Sequence, residues 1–179
     1  HSIRRRQRQM CIRDRLGTDY VYPRTTNKIL KQYLIDKGIP ESDIFVNYTP
    51  FGHSDWSKIV ADVVSLGADG KKVGVISTIN GDANIGFYKE LAAAGIKADD
   101  IPVVAFSVGE EELSGLDTKN LVGHLAAWNY FQSAESDLNT DFIKQWKSTM
   151  GDKRVTNDPM EAHVIGFKTV SYTHLRAHE

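Results

Sequence analysis

The sequence of 179 residues lacks the usual marks of stapled, membrane-spanning and metal-centred proteins. Its one cysteine, Cys11, excludes an internal disulfide and a cysteine-based zinc site. No run of ~18 apolar residues is present, so nothing in it reads as a membrane span. It has no GxGxxG, no GK[ST] closing a glycine loop, no GxSxG and no HExxH. These absences remove the commonest signatures of nucleotide binding, serine hydrolysis and zinc hydrolysis. What is present is ordinary globular composition, with 41% hydrophobic and 25% charged residues and a formal net charge of −1. That excludes a disordered chain, and the length allows one domain or two small lobes.

The near-neutral total hides an asymmetry. Residues 1–15 carry Arg4, Arg5, Arg6, Arg8, Arg13 and Arg15 against a single acid, Asp14, so the remainder is acidic. Such a run can serve as an arm for nucleic acid or an acidic membrane. It has no interleaved aromatics, no recognition motif after it and no apolar stretch of a secretory signal. It therefore reads as a solvated tail outside the fold, and no nucleic-acid partner is expected.

The body alternates helical and strand patterns. Thr25 or Thr26 caps a helix to about Lys37, with Ile29, Leu30, Tyr33 and Leu34 at helical spacing and Gly38 as its stop. IFVNY at 44–48 reads as a strand. Ser54 caps a helix whose apolar positions are Trp56, Ile59, Val60, Val63 and Val64, ending at Gly67. VGVIS at 73–77 reads as a buried strand, NGDAN at 80–84 as a turn, and a helix follows to Gly95. IPVVAFS at 101–107 and LVGHLAAW at 121–128 read as strands, with a short helix from Glu110 to Leu113 between them. Strands separated by single helices imply an α/β fold with a parallel sheet covered on both faces. Two further helices, about Thr140 to Met150 and Pro159 to Lys168, exceed what this sheet needs and are assigned to another layer or lobe.

In open α/β sheets ligands bind beyond the carboxyl ends of the strands. That rule selects Tyr20, Tyr22, Asn80, Asp82, Asn84, Ser107 and Glu110 to Glu112. Hydroxyls, amides, carboxylates and aromatic faces suit a small neutral ligand rich in N–H donors better than a phosphate, which Asp82 would repel. Each feature also has a plainer reading. Tyrosines alternating in a strand can face core and solvent. Three acids that open a helix can simply complement its dipole. His53 and His124 fit hydrogen-bonded structural roles, so no metal and no cofactor are expected.

The stretches GTDYVYPRTTNKILKQYL, YTPFGHSDWSKIVADV, STINGDANIGFYKELAAAGI, DDIPVVAFSVGEEEL and LVGHLAAWNYFQS resemble the urea-binding (UrtA-like) proteins of ABC transporters, within the type I periplasmic-binding-protein family. The likeness runs from about Leu16 to Lys168. It implies two α/β lobes with the ligand trapped between them. Residues 16–127 would form the C-terminal lobe and residues 128–168 the helices returning to an incomplete N-terminal lobe. The ends at 1–15 and 169–179 depart from the family, and RRQRQMCIRDR and VSYTHLRAHE look like translated adapter sequence.

The resemblance also implies function. In the related amide sensor the tyrosines of a DYxYP segment face the ligand, which maps onto Tyr20 and Tyr22, and a hydroxyl after a lobe strand maps onto Ser107. Asp82 and Glu111 are added on physical grounds, because urea presents four N–H donors and one carbonyl that must meet acceptors and a donor. The expected function is the solute-binding component of an ABC importer for urea or a short-chain amide, with permease subunits as membrane partners and no catalysis. The intact protein would be periplasmic or lipid-anchored outside the cytoplasm. The alternative is a cytoplasmic amide-sensing regulator of the same fold.

Overall fold

The computed structural model describes residues 11–67 and 72–176. It contains five strands in one sheet: β1 (Cys11–Thr18), β2 (Phe45–Thr49), β3 (Val73–Thr78), β4 (Val103–Ala105) and β5 (Leu125–Ala126). The order is β2-β1-β3-β4-β5 and every pairing is parallel. All six residues of β3 are buried, as an apolar strand covered on both faces must be.

Two compact units divide the described residues. The first runs to Val108 and takes in Gly115–Ala127, and the second holds Gly109–Ser114 and continues from Trp128. In the first unit the pleat sorts the side chains. Leu16, Val73, Val75 and Val103 pack with Trp56, with Ile59, Val60 and Val63 of α2 (Ser57–Gly67) and with Phe87 and Leu91 of α3 (Ala83–Ala93). Ile76 meets Leu34 of α1 (Val21–Asp36) and Ile44. Gly17 permits the close approach of α1 to the sheet, since a Cβ there would stand 2.6 Å from Thr78 Oγ1 and 3.0 Å from Pro23 Cβ.

The second unit is helical, with a single turn α4 (Glu110–Leu113), α5 (Asp137–Met150) and α6 (Asp158–Arg176). A polar network organises its loops. The Tyr130 hydroxyl donates to Asn139 Oδ1 at 2.7 Å and lies 2.7 Å from Thr156 Oγ1. Asn139 Nδ2 donates to the carbonyls of Gln132 and Ala134. Ser136 caps α5 by accepting from the Asn139 amide.

The structure corrects the sequence reading at four places. Residues 11–15, read as part of a tail, form the first five of the eight residues of the interior strand β1, which pairs with both β2 and β3. The ladder bonds are made by backbone, so charged side chains concealed a strand that apolar patterning finds only by content. Residues 1–10 of that tail lie outside the described residues. The first helix begins at Val21 rather than at Thr25, with Pro23 tolerated in its first turn. The strand read over 121–128 shrinks to Leu125–Ala126 at the sheet edge, because residues 118–121 form a 3₁₀ turn and Gly123 turns the chain at φ 95°. The last helix passes 168 to reach Arg176, with no proline or glycine beyond Gly166 to stop it, and residues 177–179 lie outside the described set.

Burying β1 leaves two charges poorly matched. Asp14 and Arg15 point to opposite faces and cannot pair through their side chains. Arg15 Nη1 donates to the Asn27 carbonyl, while its Nε and Nη2 have no partner among the described residues. Burial holds this guanidinium below its ordinary value, against the opposing pull of Tyr48 and Asp14. Asp14 Oδ1 likewise lacks a partner, and burial, reinforced by Asp62, pushes this carboxyl from 3.8 up to about 6.

A raised acid favours the protonated form in the folded state. The stabilising contribution is therefore full below pH 3.8 and is lost as pH rises through about 6. The shift corresponds to about 3 kcal/mol across that window. Guanidinium unfolding at pH 4 and pH 7.5 should show the natural protein losing stability relative to Asp14→Asn as pH rises. Parallel pH profiles for the two proteins would refute this.

Candidate ligand-binding site

In the strand order β2-β1-β3-β4-β5 the connections reverse direction between β1 and β3, and a parallel sheet leaves a crevice at that point, beyond its carboxyl edge. The segments that follow β1 and β3 flank this switch point. Tyr20 and Tyr22 follow β1, and Asn80 and Asp82 follow β3. Thr18 ties the two together, its Oγ1 accepting from the Asn80 amide at 3.0 Å.

Tyr20 occupies the N-cap position of α1 and Tyr22 its first turn. The helix start carries Tyr22 toward β4. Its hydroxyl donates to the Phe106 carbonyl at 3.0 Å and lies 3.5 Å from Ser107 Oγ. Ser107 is buried just beyond β4. Burial, and then the neighbouring Tyr22, holds the Tyr20 phenol above its usual range, so it stays a neutral donor and acceptor at physiological pH. The Tyr20 and Tyr22 rings stand 6.1 Å apart, and the Phe51 ring, from the turn after β2, stands 5.0 Å from Tyr20. At the rim, Arg24 donates to Asp19 at 2.6 Å and sits 4.8 Å over the Tyr48 ring.

Asp82 is exposed at the N-cap position of α3 and makes no side-chain capping bond. Two positions away, Asn84 is fully buried. Its Nδ2 donates to the carbonyls of Ile79 at 2.9 Å, Gly81 at 3.2 Å and Ser107 at 3.3 Å. One amide thus ties the loop after β3 to the loop after β4.

Four of the five residues singled out from sequence, Tyr20, Tyr22, Asp82 and Ser107, lie in the first unit on loops at the carboxyl edge of the sheet. The fifth, Glu111, belongs to the second unit, where its carboxylate accepts from Asn157 Nδ2. Its neighbours are also engaged within that unit. Glu112 accepts from the Gly109 amide at 2.8 Å. Glu110 accepts from the amide and hydroxyl of Ser133, both at 2.9 Å. Burial acts to raise the Glu110 carboxyl, but the bonds from Ser133 and nearby amides outweigh it and hold the group low. Phe51 is the carboxyl-edge feature that sequence reasoning passed over, and the lone aromatic in the Pro50-Phe51-Gly52 turn was the available signal for it. Asn84 is among the residues that the strand-end rule selects, and its buried amide is spent on the two loops.

His124 is structural. Its Nδ1 accepts from the Val103 amide at 3.0 Å, and burial lowers its basicity. Among the described residues no group of three or more His, Cys, Asp or Glu side chains gathers as metal ligands, and no helix is long and apolar enough to cross a membrane.

A parallel sheet of this order, with hydroxyls, amides and aromatic rings gathered beyond its carboxyl edge, makes the first unit an α/β body with a candidate ligand site at its switch point. The family model described as "periplasmic binding protein domain" matches residues 6–178, and the chain belongs to that family. Solved structures share the fold. An amino acid ABC transporter substrate-binding protein from Pseudomonas fluorescens Pf-5 is 17% identical, with a TM-score of 0.64 over 80% of this chain and 37% of its own. A solute-binding protein of an ABC transporter from R. palustris, in complex with 4-hydroxybenzoate, is 18% identical, with a TM-score of 0.62 over 80% and 37%. A branched-chain amino acid ABC transporter periplasmic ligand-binding protein from Burkholderia xenovorans LB400 is 19% identical, with a TM-score of 0.58 over 79% and 36%. The chain thus spans little more than a third of the length of these structures. No curated protein matches it.

Proposed function

We propose that the chain is part of the solute-binding component of an ABC importer, and that its ligand is urea or a short-chain amide. The carrying observation is the gathering of Tyr20, Tyr22, Asp82 and Ser107 on loops at the carboxyl edge of one parallel sheet, with the Tyr22 and Ser107 hydroxyls 3.5 Å apart. In this reading the hydroxyls meet the ligand carbonyl and Asp82 accepts its N–H groups. Glu111 is the acceptor proposed from the second unit. The protein would do no covalent chemistry. Ligand bound between two lobes would stabilise a closed form for the membrane permease to recognise. Family membership supports the binding role and a periplasmic or lipid-anchored location. The choice of urea or amide rests on the quoted sequence stretches and on the donor and acceptor set, since the similar structures are named for amino acids and 4-hydroxybenzoate.

The test is isothermal titration calorimetry of the complete gene product with urea, acetamide and leucine. Saturable heat with urea or acetamide and none with leucine is expected. Binding of leucine with neither amide would overturn the ligand assignment.

A further inference from the structure

Three aromatic rings of the first unit form a row at the carboxyl edge. The Phe51 and Tyr20 centroids are 5.0 Å apart with the planes tilted by 41°, and those of Tyr20 and Tyr22 are 6.1 Å apart with a tilt of 46°. The row starts beyond β2, crosses the end of β1 and finishes at the hydroxyl pair of Tyr22 and Ser107 beyond β4. It has an apolar end and a polar end.

Phe51 is the unusual member. It sits in the turn Pro50-Phe51-Gly52, where Gly52 at φ 73° reverses the chain, and the residue is 65% exposed. It belongs to neither core cluster. A single exposed phenylalanine is ordinary. One that extends a row of tyrosines on the ligand side of an α/β sheet is a recognition element in waiting. A ligand of urea's size placed at the hydroxyl end covers about one ring and leaves Phe51 in water. A ligand with a flat ring beside its polar group reaches both ends, and tilted rings favour its face and edges together.

We propose that Phe51 is a specificity-determining residue, and that it makes the site select ligands carrying a flat ring next to a neutral polar group, such as an aromatic amide. The inference rests on the proposed reading of this edge as the ligand side. Charge favours the neutral ligand over an acid. Arg24 at the rim is already engaged by Asp19, and the exposed Asp82 carboxylate repels an anion.

The experiment is calorimetry of the complete gene product and its Phe51→Ala and Phe51→Tyr variants with two matched pairs, benzamide against acetamide and benzoate against acetate. Benzamide should bind at least about tenfold more tightly than acetamide. Phe51→Ala should weaken benzamide about fivefold and leave acetamide within twofold, while Phe51→Tyr should retain the preference. Because the side chain is exposed, the alanine variant should keep its unfolding midpoint. If only the benzoate pair shows a ring preference that depends on residue 51, the role of Phe51 stands and the amide reading falls. Equal binding within both pairs, a preference that survives Phe51→Ala, or no binding of any of the four would overturn the role of Phe51.

Discussion

Asn84→Asp is expected to cost the first unit about 3 kcal/mol or more at neutral pH, enough to unfold a marginal domain. Asn84 has no exposed surface, and its Nδ2 faces three carbonyl oxygens, those of Ile79, Gly81 and Ser107. A carboxylate in its place would set a buried negative charge against those three oxygens and leave them unsatisfied. Asn84→Ala removes the donor without adding charge, so it should lose less, about 1–3 kcal/mol. The aspartate penalty should shrink as pH falls and the carboxyl regains a proton to donate. Guanidinium unfolding of the complete gene product at pH 7 and pH 4 checks the order natural, alanine, aspartate. An aspartate variant within about 0.5 kcal/mol of the natural protein would refute it. The functional consequence is positional: the three carbonyls belong to the loops that carry Asp82 and Ser107, so this amide sets their separation.

Much of the α/β plan was readable from period and punctuation. Of the five apolar positions read from spacing around α2, Trp56, Ile59, Val60 and Val63 are buried and Val64 is exposed. The largely apolar β3, buried along its whole length, lies at the centre of a parallel sheet. The misreadings have separate physical causes. The first five residues of β1 were missed because Asp14 and Arg15 contradict burial, and sheet position is a long-range property that no local window reports. In α1 the stripe of Ile29 and Tyr33 looked like the core face, yet both are exposed while Pro23, Asn27 and Leu34 are buried. The stripe that faces the sheet includes a polar residue, Asn27, whose side-chain Oδ1 accepts from Thr78 Oγ1 at 3.5 Å and whose main-chain carbonyl accepts from Arg15. The bond from Asn157 to Glu111 joins residues 46 apart in sequence, so no pattern around the acidic triplet could show it. Phe51 carries no periodicity at all, and only its neighbours in space give it meaning.

The second large effect concerns Asp82. Its carboxylate stands exposed at the start of α3, free of a capping bond, beside the switch point of the sheet. When a ligand rich in N–H donors excludes water there, a charged hydrogen bond contributes roughly 1.5–3 kcal/mol. Asp82→Ala should therefore weaken binding about 10- to 150-fold. Asp82→Asn should lose less, because its carbonyl still accepts. A residue that merely favours the helix start would lower the unfolding midpoint without changing affinity in this way, so guanidinium unfolding of the same variants separates the two roles. The most direct measurement is the calorimetric titration of the complete gene product and its Asp82→Ala variant with urea and acetamide. The account predicts saturable binding by the natural protein and a loss of at least about tenfold in the variant. A variant that binds these amides as tightly as the natural protein would contradict it.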